Sequence, residues 1–401
     1  MPGHDEAKAR NRELLAEDAA AKRTVFRGLP DVVSLHTTEV CNLRCVMCKR
    51  SEKLGLRHLD RDTLARVCDA LFPTATLAMV SGNQGEPLAT DFDVVVERAL
   101  RHGVKIDLVT NGTLLTPQRY SAWSEALNSV NVSLDCHVPE IYERIRVGAR
   151  FAQVEANLAG IQAARARRPD GVVVGLSAVV MRSNLPHLPD FVRYAARLGM
   201  DAVLFQPLRQ FDKRTPEEDP MTEATAAEGG GLTGGCPHPL AGGNGTPAAI
   251  ERFERESRAA ALEVGMNLYF SDFGYRAVEP RPLGLKVFVP EEHGTLCGNV
   301  ARKFALFSTG DVYPCCHPTD HTFGNVLRED ARALWNGPAA QRLREAHFTR
   351  RGTAFCTGCV RAPYLGEAPR GFATGLVKAS RLGYASIRNA VQREWWSRTR
   401  A

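Results

Sequence analysis

Residues 32–48 read VVSLHTTEVCNLRCVMC. The first nine form a β-branched run suited to a buried strand. That run leads straight into Cys41, Cys45 and Cys48, a C-x3-C-x2-C spacing on the loop after the strand. Three thiolates in one tight loop can hold three irons of a cubane cluster. No fourth cysteine is near, so one iron is left without a protein ligand, and an open position marks a catalytic metal rather than a closed structural one. Structural zinc is the alternative. It would want a fourth ligand, and the nearest histidine, His36, lies inside the strand.

Outward from this stretch the chain alternates. Helices are expected over 61–71, 91–102, 117–127, 150–167 and 188–198, each followed by a strand, over 76–82, 105–112, 129–135, 172–181 and 201–208. With strand 32–40 this makes six β/α units, and such alternation implies a parallel sheet with helical crossovers. Eight units would close a barrel. The expected fold is therefore α/β, a partial (β/α)6 barrel followed by a small cysteine-rich domain. The expected organisation is an N-terminal helical extension (1–31), the partial barrel (32–210), a Gly-rich linker (211–249), a small metal-stabilised domain (250–365) and a basic C-terminal helix (366–401). The linker holds PEEDP and eight glycines between Gly229 and Gly245. A helix over 248–264 and a strand over 266–270 follow it.

The 401 residues are 44% hydrophobic and 24% charged, ordinary for a soluble globular chain. No apolar window reaches the length of a transmembrane span, and the charged N-terminus lacks the apolar core of a secretory signal. The formal charge is +6, of which residues 366–401 carry +5, so a generally basic nucleic-acid-binding surface is not expected. The eleven cysteines are odd in number, and they cluster. That favours thiol or metal chemistry in the cytoplasm over a disulfide framework. Cys68 is the contrast, a small core residue of an amphipathic helix.

These motifs resemble the radical S-adenosyl-L-methionine (SAM) superfamily, over roughly residues 32–210. The resemblance implies that the open iron chelates SAM, which one electron cleaves to a 5'-deoxyadenosyl radical. Gly85-Glu86-Pro87 resembles the family's GGEP stretch at the SAM amino group. Asn111 ends the third strand, and Ser133 and Asp135 resemble the ribose-contacting pair. Ser177 and Asn184 lie on or after the fifth strand. Met47 and Cys136 stand where the family often has an aromatic residue and a glycine; neither departure removes a ligand.

A second cysteine group follows. Cys297, the segment LFSTGDVYPC ending at Cys315, and Cys356-Thr357-Gly358-Cys359 resemble SPASM/twitch auxiliary-cluster domains. No cysteine follows Cys359, so the shorter twitch form with one auxiliary [4Fe-4S] cluster fits, with Cys297, Cys315, Cys356 and Cys359 as ligands and Cys316 spare. A zinc ribbon is the alternative.

A primary carbon radical can abstract hydrogen from an unactivated C–H bond. At a carbinol carbon, loss of the hydroxyl proton gives a strongly reducing ketyl, whose electron a nearby cluster can accept, leaving a ketone. The resemblance to twitch-type aminocyclitol dehydrogenases of aminoglycoside biosynthesis implies this oxidation on a carbohydrate or aminocyclitol. It also implies a flavodoxin- or ferredoxin-type electron donor. The alternatives are a peptide maturase and a redox-neutral epimerase with Cys136, or less directly Cys236, returning hydrogen. From another class come an iron–sulfur electron carrier and a zinc scaffold. Candidates for substrate contact are His137, Arg146, Gln206 and Arg209, since a sugar needs several polar side chains in a pre-formed pocket. Each has a structural alternative: Arg146 paired with Glu143, or His137 capping its turn.

Overall fold

A computed structural model describes residues 2–48, 56–82, 85–167, 169–208, 218, 248–270, 296–315, 321–351, 353 and 356. The expected basic helix over 366–401, nearly all of the linker, and Arg209, Cys236, Cys316 and Cys359 lie outside the described residues. The chain divides into two compact units. The first draws on Met1–Ser133, Tyr142–Val174 and Gly284–Gly366, the second on Leu134–Ile141, Gly175–Leu283 and Glu367–Ala401.

In the first unit, α1 (Pro2–Ala20) precedes β1 (Val32–His36), α2 (Arg61–Leu71), β2 (Leu77–Ser81), α3 (Phe92–His102), β3 (Lys105–Thr110), α4 (Pro117–Trp123) and β4 (Leu127–Ser133). Helices α5 (Pro139–Ile145) and α6 (Phe151–Arg167) follow. Strands β1 to β4 are parallel neighbours in chain order. Local chemistry sets the helix starts. Asp60 caps α2 by accepting from the Thr63 amide at 2.8 Å, and Thr116 caps α4 ahead of Pro117. Leu64, Val67, Cys68 and Leu71 recur at helical spacing and are buried, so Cys68 is the core residue expected of it. The short α5 escaped the sequence reading because its seven residues offer too few turns for a periodic signal.

Helix α1 buries a face that mixes Leu15 and Ala19 with Lys8, Asn11 and Asp18. Each polar member has partners. Lys8 donates to the His102 and Gly103 carbonyls at 2.7 Å, Asn11 to the Leu29 carbonyl at 2.8 Å, and Asp18 pairs with Arg27 at 2.7 Å.

The cysteine-rich segment extends the sheet of this unit. Helix α9 (Gly298–Arg302), named after α8 of the second unit, leads into β8 (Lys303–Phe307), which pairs in parallel with β1 from Val32↔Lys303 to His36↔Phe307. The segment LFSTGDVYPC forms a hairpin. Strand β9 (Asp311–Tyr313) runs antiparallel to β8, with Gly310 in the turn at φ +83°. The sheet of this unit is ordered β10-β9-β8-β1-β2-β3-β4, where β10 is Gly324–Asn325. Helices α10 (Ala331–Trp335) and α11 (Pro338–Phe348) complete it. Buried Arg344 of α11 lies over the rings of Phe26 and Trp335 at 4.0 and 4.4 Å and donates to the Thr24 carbonyl, fastening the N-terminal extension.

The second unit holds β5 (Val173–Val180, from Gly175 on), α7 (Leu188–Arg197), β6 (Ala202–Pro207), α8 (Ala248–Val264) and β7 (Asn267–Phe270). The three strands are parallel in the order β5-β6-β7. Phe205 sits against Phe253 and Phe270 at 5.2 and 5.7 Å, joining α8 to the sheet. The fold is α/β with parallel strands. No helix among the described residues is long and apolar enough to cross a membrane.

Candidate functional site

The loop bearing Cys41, Cys45 and Cys48 is gripped by backbone from three sides. Residues 37–39 pair with 57–59: Leu59 donates to the Thr37 carbonyl at 2.9 Å and Glu39 to that of Arg57 at 2.7 Å. Arg44 and Val46 donate to the carbonyls of Val147 and Ile145 at 2.9 and 3.0 Å. Glu86 donates its amide to the Val40 carbonyl at 2.8 Å. Gly85 makes that last approach possible, because a Cβ there would lie 2.8 Å from the Val40 oxygen and nearer still to that of Thr38.

The three thiols are half-buried on this fixed loop. Soft thiolate donors suit iron–sulfur clusters. Among the described residues no three of Cys, His, Asp and Glu gather closely enough for a single ion. A cubane does not ask for that, since each thiolate takes its own iron. The residues fit such a cluster. Arg146, half-buried at the end of α5, donates from its guanidinium toward Cys45 Sγ at 3.8 Å. The pairing considered for it with Glu143 does not form; Glu143 pairs with Arg150 at 3.3 Å.

Behind the loop lies a buried polar network that sequence reasoning found in part. Glu86 accepts from Thr110 Oγ1 at 2.6 Å and from the Asn111 amide at 2.7 Å, and also caps the short turn begun by Pro87. Burial pushes its carboxyl above the usual range, against these hydrogen bonds and the nearby Arg146 charge. Asn111, Asn42 and Thr113 close a ring. Asn111 donates to Asn42 at 2.9 Å, Asn42 to Thr113 at 2.8 Å, and Thr113 back to Asn111 at 2.6 Å. Asn42 and Thr113 were not singled out from sequence, although one adjoins Cys41 and the other follows Asn111 by two.

In the second unit, Asp135 is buried and accepts from the Val179 amide at 2.8 Å. Fully buried Asn184 donates to the Asp135 and Val179 carbonyls, both at 2.8 Å, and accepts from the Met181 amide. Its amide is thus spent on backbone, where it fixes the loop carrying Asp135. Ser177 is buried, and its carbonyl accepts from Leu134 at 2.9 Å. Cys136 is fully buried, its thiol pushed up by that burial, and accepts from the Val138 amide at 3.4 Å. His137 stacks on Tyr194 at 5.7 Å, and partial burial lowers its pKa. Gln206 is half-buried at the register position of Val179.

The strand registers of the first unit align two unlike faces. Val33, Leu35, Ala78, Val80, Ile106, Leu108, Val130 and Val132 are all buried. The opposite face carries Ser34 and His36 on β1, Ser81 on β2, Asp107 on β3, and Ser129, Asn131 and Ser133 on β4. Parallel strands covered on both sides are apolar on both; this face is polar and, at Val109, 37% exposed. His36 sits between Ser34 Oγ and Ser81 Oγ, each at 3.1 Å. Burial, with the Lys303 charge, lowers its pKa to about 4, so the ring is neutral.

In the cysteine-rich segment Cys297, Cys315 and Cys356 are half-buried. Cys297 precedes α9, and its amide donates to His347 Nδ1 at 3.5 Å. Cys356 donates its amide to Thr353 at 3.2 Å.

The family model of the radical SAM superfamily matches residues 35–195. The chain carries a radical SAM domain. The model of the SPASM iron–sulfur cluster-binding domain matches residues 297–360. The radical SAM domain implies SAM and a [4Fe-4S] cluster, and the SPASM domain implies auxiliary iron–sulfur clusters. A GTP 3',8-cyclase of Rhodopseudomonas palustris is 31% identical over 186 residues, covering 44% of this chain and 52% of that protein. The chain thus spans about half the length of the curated relatives it matches. Among solved structures, SuiB of Streptococcus suis bound to its precursor peptide SuiA superposes with a TM-score of 0.56 at 14% identity, over 83% of this chain and 70% of that one. The protein anSMEcpe with bound AdoMet superposes at 0.55 and 17%, over 91% and 96%. Identities this low show the fold alone.

Proposed function

We propose that this chain is a radical SAM dehydrogenase, oxidising a carbinol carbon of a sugar- or aminocyclitol-type small molecule to a ketone. The observation that carries the reading is the polar face of β1 to β4, whose serines, Asn131, Asp107 and neutral His36 suit a small molecule rich in hydroxyls. The relative named GTP 3',8-cyclase bears the name of a triphosphate substrate, and a triphosphate asks for several arginines or lysines. Among the described residues of this face the basic ones are Lys105, which donates to the Glu125 carbonyl at 2.7 Å, and Lys303, buried beside His36, too few for three phosphates.

The roles are those the resemblance implies. Cys41, Cys45 and Cys48 hold the catalytic cluster. Gly85, Glu86 and Pro87, with Asn111, Ser133, Asp135 and Ser177, hold SAM, and Asn184 positions Asp135. Cys297, Cys315, Cys356 and Cys359 hold one auxiliary cluster. These cofactors supply a carbon radical that takes one hydrogen atom and a cluster that takes one electron. His137 accepts the hydroxyl proton; its lowered pKa keeps it unprotonated at neutral pH. Arg146, Gln206 and Arg209 contact substrate or cofactor, and a flavodoxin- or ferredoxin-type protein delivers the initiating electron.

Oxygen-free reconstitution followed by mass spectrometry in deuterated water tests the reading. The expected product is two hydrogens lighter than its substrate, with one SAM consumed per turnover. An unchanged product formula carrying one solvent deuterium at carbon would overturn it in favour of epimerisation.

A further inference from the structure

Asp107 and Asn131 lie on the polar face of β3 and β4, where Asp107 pairs with Ser129 and Val109 with Asn131. Both hydrogen bonds that Asp107 accepts fall on one oxygen: Asn128 Nδ2 at 2.7 Å and Ser129 Oγ at 2.6 Å reach Oδ1. Its Oδ2 takes no hydrogen bond from a described residue and is reached by solvent, whereas Asn131 Oδ1 is buried without a partner among them. Exposed Val109 lies between the two along the strand. Lys105, two residues earlier on the same strand, is turned to the Glu125 carbonyl and does not neutralise Asp107. A solvent-reached carboxylate oxygen and a buried amide oxygen without a donor thus stand about one strand spacing and two residues apart, and the second stays buried only when a donor fills it.

We propose that Asp107 and Asn131 form an ammonium-binding subsite, so that the molecule accepted by this face carries a protonated amine. An ammonium has three donors and a full charge, matching one carboxylate oxygen and one amide oxygen. A neutral hydroxyl would fill the geometry and leave the charge unanswered. Burial holds the Asp107 carboxyl above its ordinary range, the direction a carboxylate takes when its cation is missing. The proposal rests on the reading of this face as a substrate surface and narrows it from sugars and aminocyclitols alike to the amine-bearing members, with the residues that select them.

Reconstituted, SAM-loaded full-length protein is titrated calorimetrically with glucosamine and with glucose. Glucosamine is expected to bind tighter by about tenfold or more, the scale of one charge-assisted hydrogen bond. Asp107→Asn keeps an acceptor for Asn128 and Ser129 and should remove the preference, so that the two sugars bind alike. Asn131→Leu should weaken the preference too, and it serves as the independent variant if Asp107→Asn does not fold. Equal binding of the two sugars by the wild-type protein, or a preference that survives either substitution, overturns the proposal. The readout needs no turnover. Failure to lose two hydrogens would sink the dehydrogenase reading and leave the amine preference standing, and the reverse outcome would do the opposite.

Discussion

Arg302→Met should destabilise the first unit more than any surface substitution. Arg302 closes α9 and meets Asp31 at the start of β1 in a two-pronged pair, Nε to Oδ1 at 2.9 Å with the second nitrogen on Oδ2. The Asp31 side chain is 0% exposed and that of Arg302 is 19% exposed. The Asp31 carbonyl also accepts from the Thr76 and Leu77 amides at 2.9 and 3.3 Å, so the carboxylate cannot swing to water without breaking the entry to β2. Methionine would leave a buried carboxylate without its cation, which costs about 3–5 kcal/mol. The double variant Asp31→Leu/Arg302→Met removes both charges and should recover most of that loss, because a buried pair gains little over well-packed apolar groups. The assay is urea unfolding of the oxygen-free, cluster-loaded protein followed by circular dichroism, with the iron content of each variant. Cys297 begins the same short helix, so auxiliary iron should fall in the single variant while the N-terminal cluster is retained. A single variant within about 0.5 kcal/mol of wild type, or a double variant no more stable than the single, would refute the reasoning.

Other expectations follow from the site. Arg146→Gln should lower the midpoint potential of the N-terminal cluster by about 60 mV, a tenfold one-electron effect, through loss of the cation 3.8 Å from Cys45; an unchanged EPR-monitored potential would count against that contact. Asn42→Ala should leave the iron content intact but weaken the EPR change on adding SAM, since it opens the ring through Asn111 and Thr113. Cys136→Ala should keep product formation at a cost of about 1 kcal/mol in stability, because the thiol is buried packing; abolished turnover would restore the epimerase alternative. The His36 pKa falls from the ordinary 6.5 to about 4 on folding, chiefly through burial. The unfolded chain therefore binds the extra proton in that window, and stability should drop by about 3 kcal/mol as pH falls from 6.5 to 4. His36→Asn should flatten that dependence in a pH series of melts.

The strand and helix alternation was legible because each element's period is local. LARVCDAL repeats at helical spacing, and KIDLVT alternates at strand spacing. The first cysteine group was legible for the same reason, since ligands within a loop are close in sequence; the second, spread from Cys297 to Cys359, was legible by resemblance. Less visible was the partner of β1. KFALF reads as a short apolar strand, but its pairing with VVSLH spans some 270 residues, and no local pattern carries that distance. The polar alternation of SVNVSLD was in plain view, yet its meaning appeared once the registers set Asp107, Asn131 and Ser34 on a common face.

The sequence by itself determined the three-thiol loop and the parallel α/β order, because covalent spacing and period-bound burial act over a few residues. Tertiary structure alone decided which carboxylates are buried, that Arg146 faces Cys45 rather than Glu143, and that Asn184 is consumed by backbone. Those outcomes depend on desolvation and on partners distant along the chain, and both quantities come into being when the strands pair.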